Sequence, residues 1–203
     1  MQCRKNKDEG SVAPKTVYAT GYQVTGSRPA VTFWKNNAAT TITDGSFYAS
    51  GNSVFVSGTD VYIAGYEENA GGKGVAKLWK NGTATAITDG ARHAEGYSVY
   101  VSGSDVYVAF FETNAAGTSV AKLWKNGITT SLTDGTQAAK CYSVLVTGPD
   151  VFVAGYEENI SGYSVAKVWK NGTATSLSAG TSEAKGYSVF AVGPDVYVTG
   201  IEE

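Results

Sequence analysis

From residue 16 to the end, the chain is a succession of short apolar-polar runs separated by glycine-containing pairs. Around residue 100 the runs are Ser98-Val99-Tyr100-Val101, Val106-Tyr107-Val108-Ala109, Val120-Ala121-Lys122-Leu123-Trp124 and Ile128 to Leu132. Short Val- and Tyr-rich runs bounded by turn residues predict four strands, here termed A to D. Strands A and B are joined by Gly103-Ser104, or by Gly148-Pro149 one copy later. A Gly-X pair suits a type II′ hairpin, in which Gly takes the positive φ. Strands C and D are joined by Asn81-Gly82, Asn126-Gly127 and Asn171-Gly172, with Asn36-Asn37 in the first copy. Asn-Gly is the strongest short hairpin signal. Strand B is apolar on both faces at Val106, Tyr107 and Val108, which predicts a strand covered on both sides.

The pattern repeats. Trp34, Trp79, Trp124 and Trp169 lie 45 residues apart, as do Asp60, Asp105, Asp150 and Asp195. Gly58, Gly103, Gly148 and Gly193 keep the same step, and so do Ser53, Ser98, Ser143 and Ser188. Val17 to Val61 is 44, so the first copy is one residue short before its Trp. Four antiparallel strands in about 45 residues is the period of a propeller blade. The predicted fold is therefore all-β, a β-propeller of four-stranded antiparallel blades. Its repeats run over 16–60, 61–105, 106–150 and 151–195, with a partial copy at 196–203 and a polar tether at 1–15. The strands begin in phase B (Thr16 to Tyr22), continue through three complete A-B-C-D sets, and end on A (Ser188 to Val192) and B (Val196 to Ile201). Two closures stay open. Either the last A strand completes the first blade in a four-bladed ring, or the repeats are part of a larger propeller and self-associate through open edges. A repeated Trp burying about 150–250 Å² between blades is core before it is a ligand platform.

Composition narrows the function. Net charge is −2 and charged residues are 17%, so no nucleic-acid partner is expected. With 25 Gly and 13 Tyr, the mix favours strands and tight turns. No apolar stretch approaches the roughly 18 residues of a membrane span. Cys3, followed by Arg4, Lys5, Asn6, Lys7, Asp8 and Glu9, looks like the start of a mature bacterial lipoprotein. A lipid on Cys3 would then be the only membrane attachment. Cys141 stands where other copies have Gly51, Gly96 and Gly186, and drift explains it better than redox chemistry.

Trp-Lys-Asn-Gly at the C–D hairpin, Ser-Val-x-Val-x-Gly, and Asp-Val-Tyr-Val-Ala-Gly-Tyr-Glu together resemble the repeats of bacterial lipoproteins expected to fold as β-propellers. The resemblance covers residues 16–203 and departs in strand B at Phe110 and Phe111. It implies a fold and a location, the bacterial cell envelope or the extracellular space. It implies no activity and no catalytic residues.

Candidate chemistry lies in the loops. The hairpins barely change between copies, whereas the B–C and D–A loops vary: Val24 to Pro29, Glu68 to Lys73, Thr113 to Thr118 and Glu158 to Tyr163; then Phe47-Tyr48, Arg92-His93, Gln137-Ala138 and Ser182-Glu183. In a propeller these loops share one face, and binding residues concentrate in loops on rigid scaffolds. Tyr48, Arg92, His93 and Tyr163 are the expected ligand contacts, with side chains pointing to solvent. Glu67, Glu112 and Glu157 recur at the end of strand B as a ring of carboxylates for cations or sugars, or else pair with Lys77, Lys122 and Lys167. His93 is the only His, and no G-x-S-x-G elbow, P-loop or calcium-loop pattern occurs. No cofactor and no metal site is expected. Asn-x-Ser/Thr at Asn81, Asn159 and Asn171 is better explained by turn chemistry than by glycosylation. The expected function is a non-catalytic binding or scaffold module for a glycan or a protein. The alternatives are a carbohydrate-active enzyme with paired carboxylates, or a spacer without a specific ligand.

Overall fold

The computed structural model describes residues 15–203. Cys3 and the tether over residues 1–14 lie outside the described residues. Five antiparallel sheets follow one another, with no helix among the described residues. The first has three strands, β1 (Tyr18–Thr25), β2 (Arg28–Lys35) and β3 (Ala38–Thr41). The second is β4 (Ala49–Ser57), β5 (Asp60–Glu68), β6 (Gly74–Lys80) and β7 (Thr83–Ala86). The third is β8 (Ala94–Ser102), β9 (Asp105–Thr113), β10 (Ser119–Lys125) and β11 (Ile128–Ser131). The fourth is β12 (Ala139–Thr147), β13 (Asp150–Glu158), β14 (Ser164–Lys170) and β15 (Thr173–Ser176). The last holds only β16 (Ala184–Val192) and β17 (Asp195–Glu202). Hydrogen-bond order follows chain order within each sheet. A 45-residue repeat counted from strand B therefore straddles two sheets.

The turns follow their sequences. Gly103 has φ +60° at the first turn position of the β8–β9 hairpin, and Ser104 does not share the positive φ, as a type II′ turn requires. Asn126 and Gly127 both have positive φ, 47° and 95°, which makes the β10–β11 hairpin type I′.

Strands A and B are longer than the alternation predicts. Strand A of the third sheet begins at Ala94 rather than Ser98, and strand B ends at Thr113 rather than Ala109. The cause is a bulge. The pairing register shifts between Gly96 and Ser98, so Tyr97 is inserted and the apolar-polar alternation changes phase. The same shift falls at Gly51/Ser53, Cys141/Ser143 and Gly186/Ser188. In the fourth sheet the backbones approach closely opposite the bulge, where a Cβ on Gly155 would lie 2.1 Å from the Lys140 carbonyl oxygen, whereas Phe110 takes the same place in the third sheet. In the first copy the B–C loop expected over Val24 to Pro29 shrinks to the Gly26-Ser27 turn, because β1 and β2 stay paired out to Thr25 and Arg28.

The sheets stack face to face in series: β8, β12 and β16 each lie against the A, B and C strands of the sheet before, and β4 lies against β1 and β2. Each junction has its own core. Between the second and third sheets, Tyr62, Ala64 and Leu78 meet Val99, Val108, Phe110 and Trp124. Between the third and fourth, Tyr107 and Ala109 meet Val144, Val153 and Trp169. Trp79, Trp124 and Trp169 are all buried, as expected of inter-sheet core. Ser53, Ser98 and Ser143 stitch the joints: their hydroxyls accept the backbone N–H groups of Val99, Val144 and Val189 at 3.1–3.2 Å. The stack is not closed, and its last strand, β17, is largely exposed.

Candidate functional site

The bulge at strand A determines what is presented at that edge of the stack. Tyr97, Tyr142 and Tyr187 occupy the inserted position on β8, β12 and β16, and Asn52 takes it on β4. Their rings meet: Tyr97 and Tyr142 are 5.1 Å apart edge to face, and Tyr142 and Tyr187 5.5 Å apart. Strand B adds a parallel set, with Phe111 stacked on Tyr97 and Tyr156 on Tyr142. Lys140 Nζ lies 4.0 Å from the Phe111 ring centroid and Lys185 Nζ 5.1 Å from that of Tyr156. These are cation–π distances. The row thus crosses three sheets and carries aromatic faces, hydroxyls and charges.

Its acidic member is Glu95. Tyr97 donates its hydroxyl proton to Glu95 Oε2 at 2.9 Å, and His93 Nε2 lies 2.9 Å from Oε1. His93 Nδ1 accepts the Gly74 N–H at 3.0 Å, so the ring proton sits on Nε2 and is donated to Glu95. Burial holds the Tyr97 phenol protonated well above its ordinary range, and the Glu95 carboxylate adds to this. Burial, with Glu95 and Tyr48 beside it, does the same for Tyr66. Burial, with Tyr156 and Tyr187, does so for Tyr142. These hydroxyls therefore keep their protons at neutral pH.

The loop residues expected to face solvent divide. Tyr48 packs on Tyr66 and Tyr22 at ring distances of 6.0 and 6.4 Å. His93 is bonded at both ring nitrogens and lies against Phe111 at 5.7 Å. Both are half-buried and belong to the aromatic row, contrary to the expectation of free side chains, because Tyr66 and Phe111 of strand B pack against them. Arg92 and Tyr163 are exposed; Arg92 precedes His93 in a D–A loop, and Tyr163 sits in the B–C loop between β13 and β14. Of the four, Tyr48 and His93 contact the aromatic row, through Tyr66 and Phe111.

Glu67, Glu112 and Glu157 lie within strand B and are each held by the lysine of the neighbouring strand, Lys77, Lys122 and Lys167. Each pair is about four-fifths buried, so each carboxylate is occupied by its own cation. No group of three or more potential metal ligands occurs among the described residues.

The variable B–C loops have a fixed element, an asparagine that keeps the 45-residue step at Asn69, Asn114 and Asn159. Asn69 Oδ1 accepts the Gly71 and Lys73 N–H groups, while its Nδ2 donates to the Gly90 carbonyl of the D–A loop. Asn114 and Asn159 do the same in their sheets. Asn81 and Asn171 sit in the C–D turns, where Oδ1 accepts from Val61 and Val151 and Nδ2 donates to Asp60 and Asp150. All three Asn-x-Ser/Thr asparagines are thus engaged as turn and loop pins. Cys141 is buried in the third inter-sheet joint, its thiol directed at the Phe110 carbonyl at 3.0 Å, and burial pushes its pKa up to about 12. Such a thiol is inert.

Grooves also open between neighbouring sheets toward strand D. One, of about 560 Å³, is lined by Phe33, Ile42, Val61, Ile63 and the Asn81-Gly82 turn. A similar wedge lies between Leu123 and Val151. They contain no carboxylate pair and no histidine. The signal that could have found the tyrosine row was Gly-Tyr-Ser at 96–98 and 186–188, with Cys-Tyr-Ser at 141–143: a tyrosine between two repeat markers, out of phase with both strands. No protein-family model matches the chain, and no curated protein is similar enough to it to carry an argument.

Proposed function

We propose that the chain is a non-catalytic binding module of propeller-like architecture, placed at the bacterial cell envelope or outside the cell, that takes an extended glycan along the tyrosine row. The observation that carries this reading is the row's continuity: one bulge position supplies Tyr97, Tyr142 and Tyr187 on three successive sheets, with rings in contact. A phenol ring offers an apolar face to the C–H face of a sugar and a hydroxyl to its oxygens. Glu95, Lys140 and Lys185 add polar groups that fix orientation, the usual division of labour in a ligand site. Engagement of Glu67, Glu112 and Glu157 by lysines favours binding over hydrolysis by paired carboxylates, which needs two acids free to reach one bond. The propeller reading rests on the 45-residue period, the A-to-D strand order and the serial face-to-face stacking. Lipidation of Cys3 belongs to the same proposal and accounts for the envelope location.

A glycan array on the purified chain tests it. A hit is then measured by calorimetry against Tyr142→Ala and Tyr97→Ala, each expected to weaken binding at least about tenfold, or about 1.4 kcal/mol. Circular dichroism should show both variants folded. Unchanged affinity in both variants, or cleavage of the glycan, overturns the reading. Binding of proteins with silence on the glycan array replaces the ligand class.

A further inference from the structure

We infer that the exposed face of β16 and β17 is a docking surface for a second copy of this chain, which seats the outward face of its β1 and β2 there. Tyr62, Tyr107 and Phe152 hold one repeat position on β5, β9 and β13, and are 7%, 6% and 7% exposed because the next sheet covers them. Tyr197 holds the same position on β17 and is 53% exposed. Phe190 is 62% exposed, whereas its counterparts Phe55, Tyr100 and Leu145 are half-buried. Thr199 is exposed where Ala64, Ala109 and Ala154 are fully covered. A contiguous apolar face of this kind marks an interaction site.

The occupant follows from what covers the earlier copies. Over Tyr107 and Ala109 lie Val144, Val153 and Trp169 from strands A, B and C of the following sheet. The first sheet carries the strand-B and strand-C counterparts on its outward side: Ala19 on β1, where Val153 stands in the fourth sheet, and Trp34 on β2, where Trp169 stands. Ala19 is exposed, and Trp34 is only half-buried although Trp79, Trp124 and Trp169 are buried. Val17, beside them, is exposed as well. The described stack therefore bears the strand-B and strand-C part of its own recurring joint on one outer face, and the surface which that part covers on the other. A contact between unlike faces is heterologous, so it propagates into rings or filaments larger than a dimer.

Sedimentation velocity over a wide concentration range tests this with the full chain. The wild type is expected to associate beyond the dimer as concentration rises. Phe190→Lys with Tyr197→Lys blocks one face, and Ala19→Arg blocks the other. All three positions are exposed, so folding is retained, and circular dichroism checks that. Each blocked chain alone is expected to stay monomeric, and the two mixed in equal amounts are expected to form a 1:1 dimer, because each keeps the face the other lacks. A wild type that stays monomeric throughout overturns the proposal. So does association that survives in the Phe190→Lys, Tyr197→Lys chain, or failure of the two blocked chains to pair. If Ala19→Arg unfolds, Val17→Lys takes its place in the same mixing test.

Discussion

The backbone N–H of Val144 donates to the Ser98 hydroxyl at 3.1 Å, from the first strand of one sheet to the first strand of the sheet before it. The bond is repeated 45 residues earlier and later, by Val99 to Ser53 and Val189 to Ser143. Val144 is almost fully buried, and a buried amide without a partner carries the full desolvation cost. Ser98→Ala is therefore expected to destabilise the chain by about 1–2 kcal/mol. Urea unfolding measures it, and a midpoint equal to wild type would show that the serine is replaceable.

Trp169 and Trp124 fill equivalent inter-sheet positions. Truncating Trp124 to Ala leaves a cavity and is expected to cost about 3–5 kcal/mol. Trp169 Nε1 is buried with no hydrogen-bond partner among the described residues. Trp169→Phe consequently gives up volume but no hydrogen bond, and is expected to cost clearly less than Trp169→Ala. Thermal melts of the three variants decide this, and near-wild-type melting of Trp124→Ala would contradict its place in the core.

The C–D hairpins carry a pH signature. Hydrogen bonds from Lys125 and Asn126 hold Asp105 below the usual carboxylate range, and those from Lys80 and Asn81 do the same for Asp60. Asp150 is lowered likewise by Lys170 and Asn171. A depressed folded-state pKa contributes stability above the unfolded value of 3.8, lost as pH falls through the lower folded value. Conversely, Asp105 holds Lys125 above its ordinary 10.5, a contribution present below that value and lost as pH rises through the folded one. These groups are exposed, so salt weakens the effect. Asp105→Asn is expected to flatten the stability profile below about pH 4. An unchanged acid limb in urea titrations would show that the pairs do not contribute.

Cys141 is expected to ignore thiol reagents at pH 8 in the folded chain and to react fully once unfolded. A Cys3→Ser background isolates its signal. Rapid native-state labelling would show that the joint between the third and fourth sheets opens freely.

Much of the fold was legible in the sequence because its signals are local. Asn126-Gly127 and Gly103-Ser104 encode their turns in two residues, and spacing of Trp, Asp, Gly and Ser gives the period without any knowledge of contacts. The meaning of those markers was less visible. Ser98 reads as a marker but acts as an acceptor for an amide 46 residues away, and Asn69 reads as loop drift but ties two loops together.

By itself, the sequence determined the strands, their hairpins, the all-β class and the burial of Trp79, Trp124 and Trp169, since turn chemistry and apolar alternation act over neighbouring residues. Only the tertiary structure decided the rest. A one-residue bulge beside Gly96 changes which face the strand presents, and alternation cannot register an inserted residue. That bulge puts Tyr97, Tyr142 and Tyr187 in one row, which His93 and Tyr48 join through Phe111 and Tyr66. Stacking of sheets likewise left Tyr197 bare where Tyr107 is covered, because burial there depends on which surface a distant segment brings to meet it.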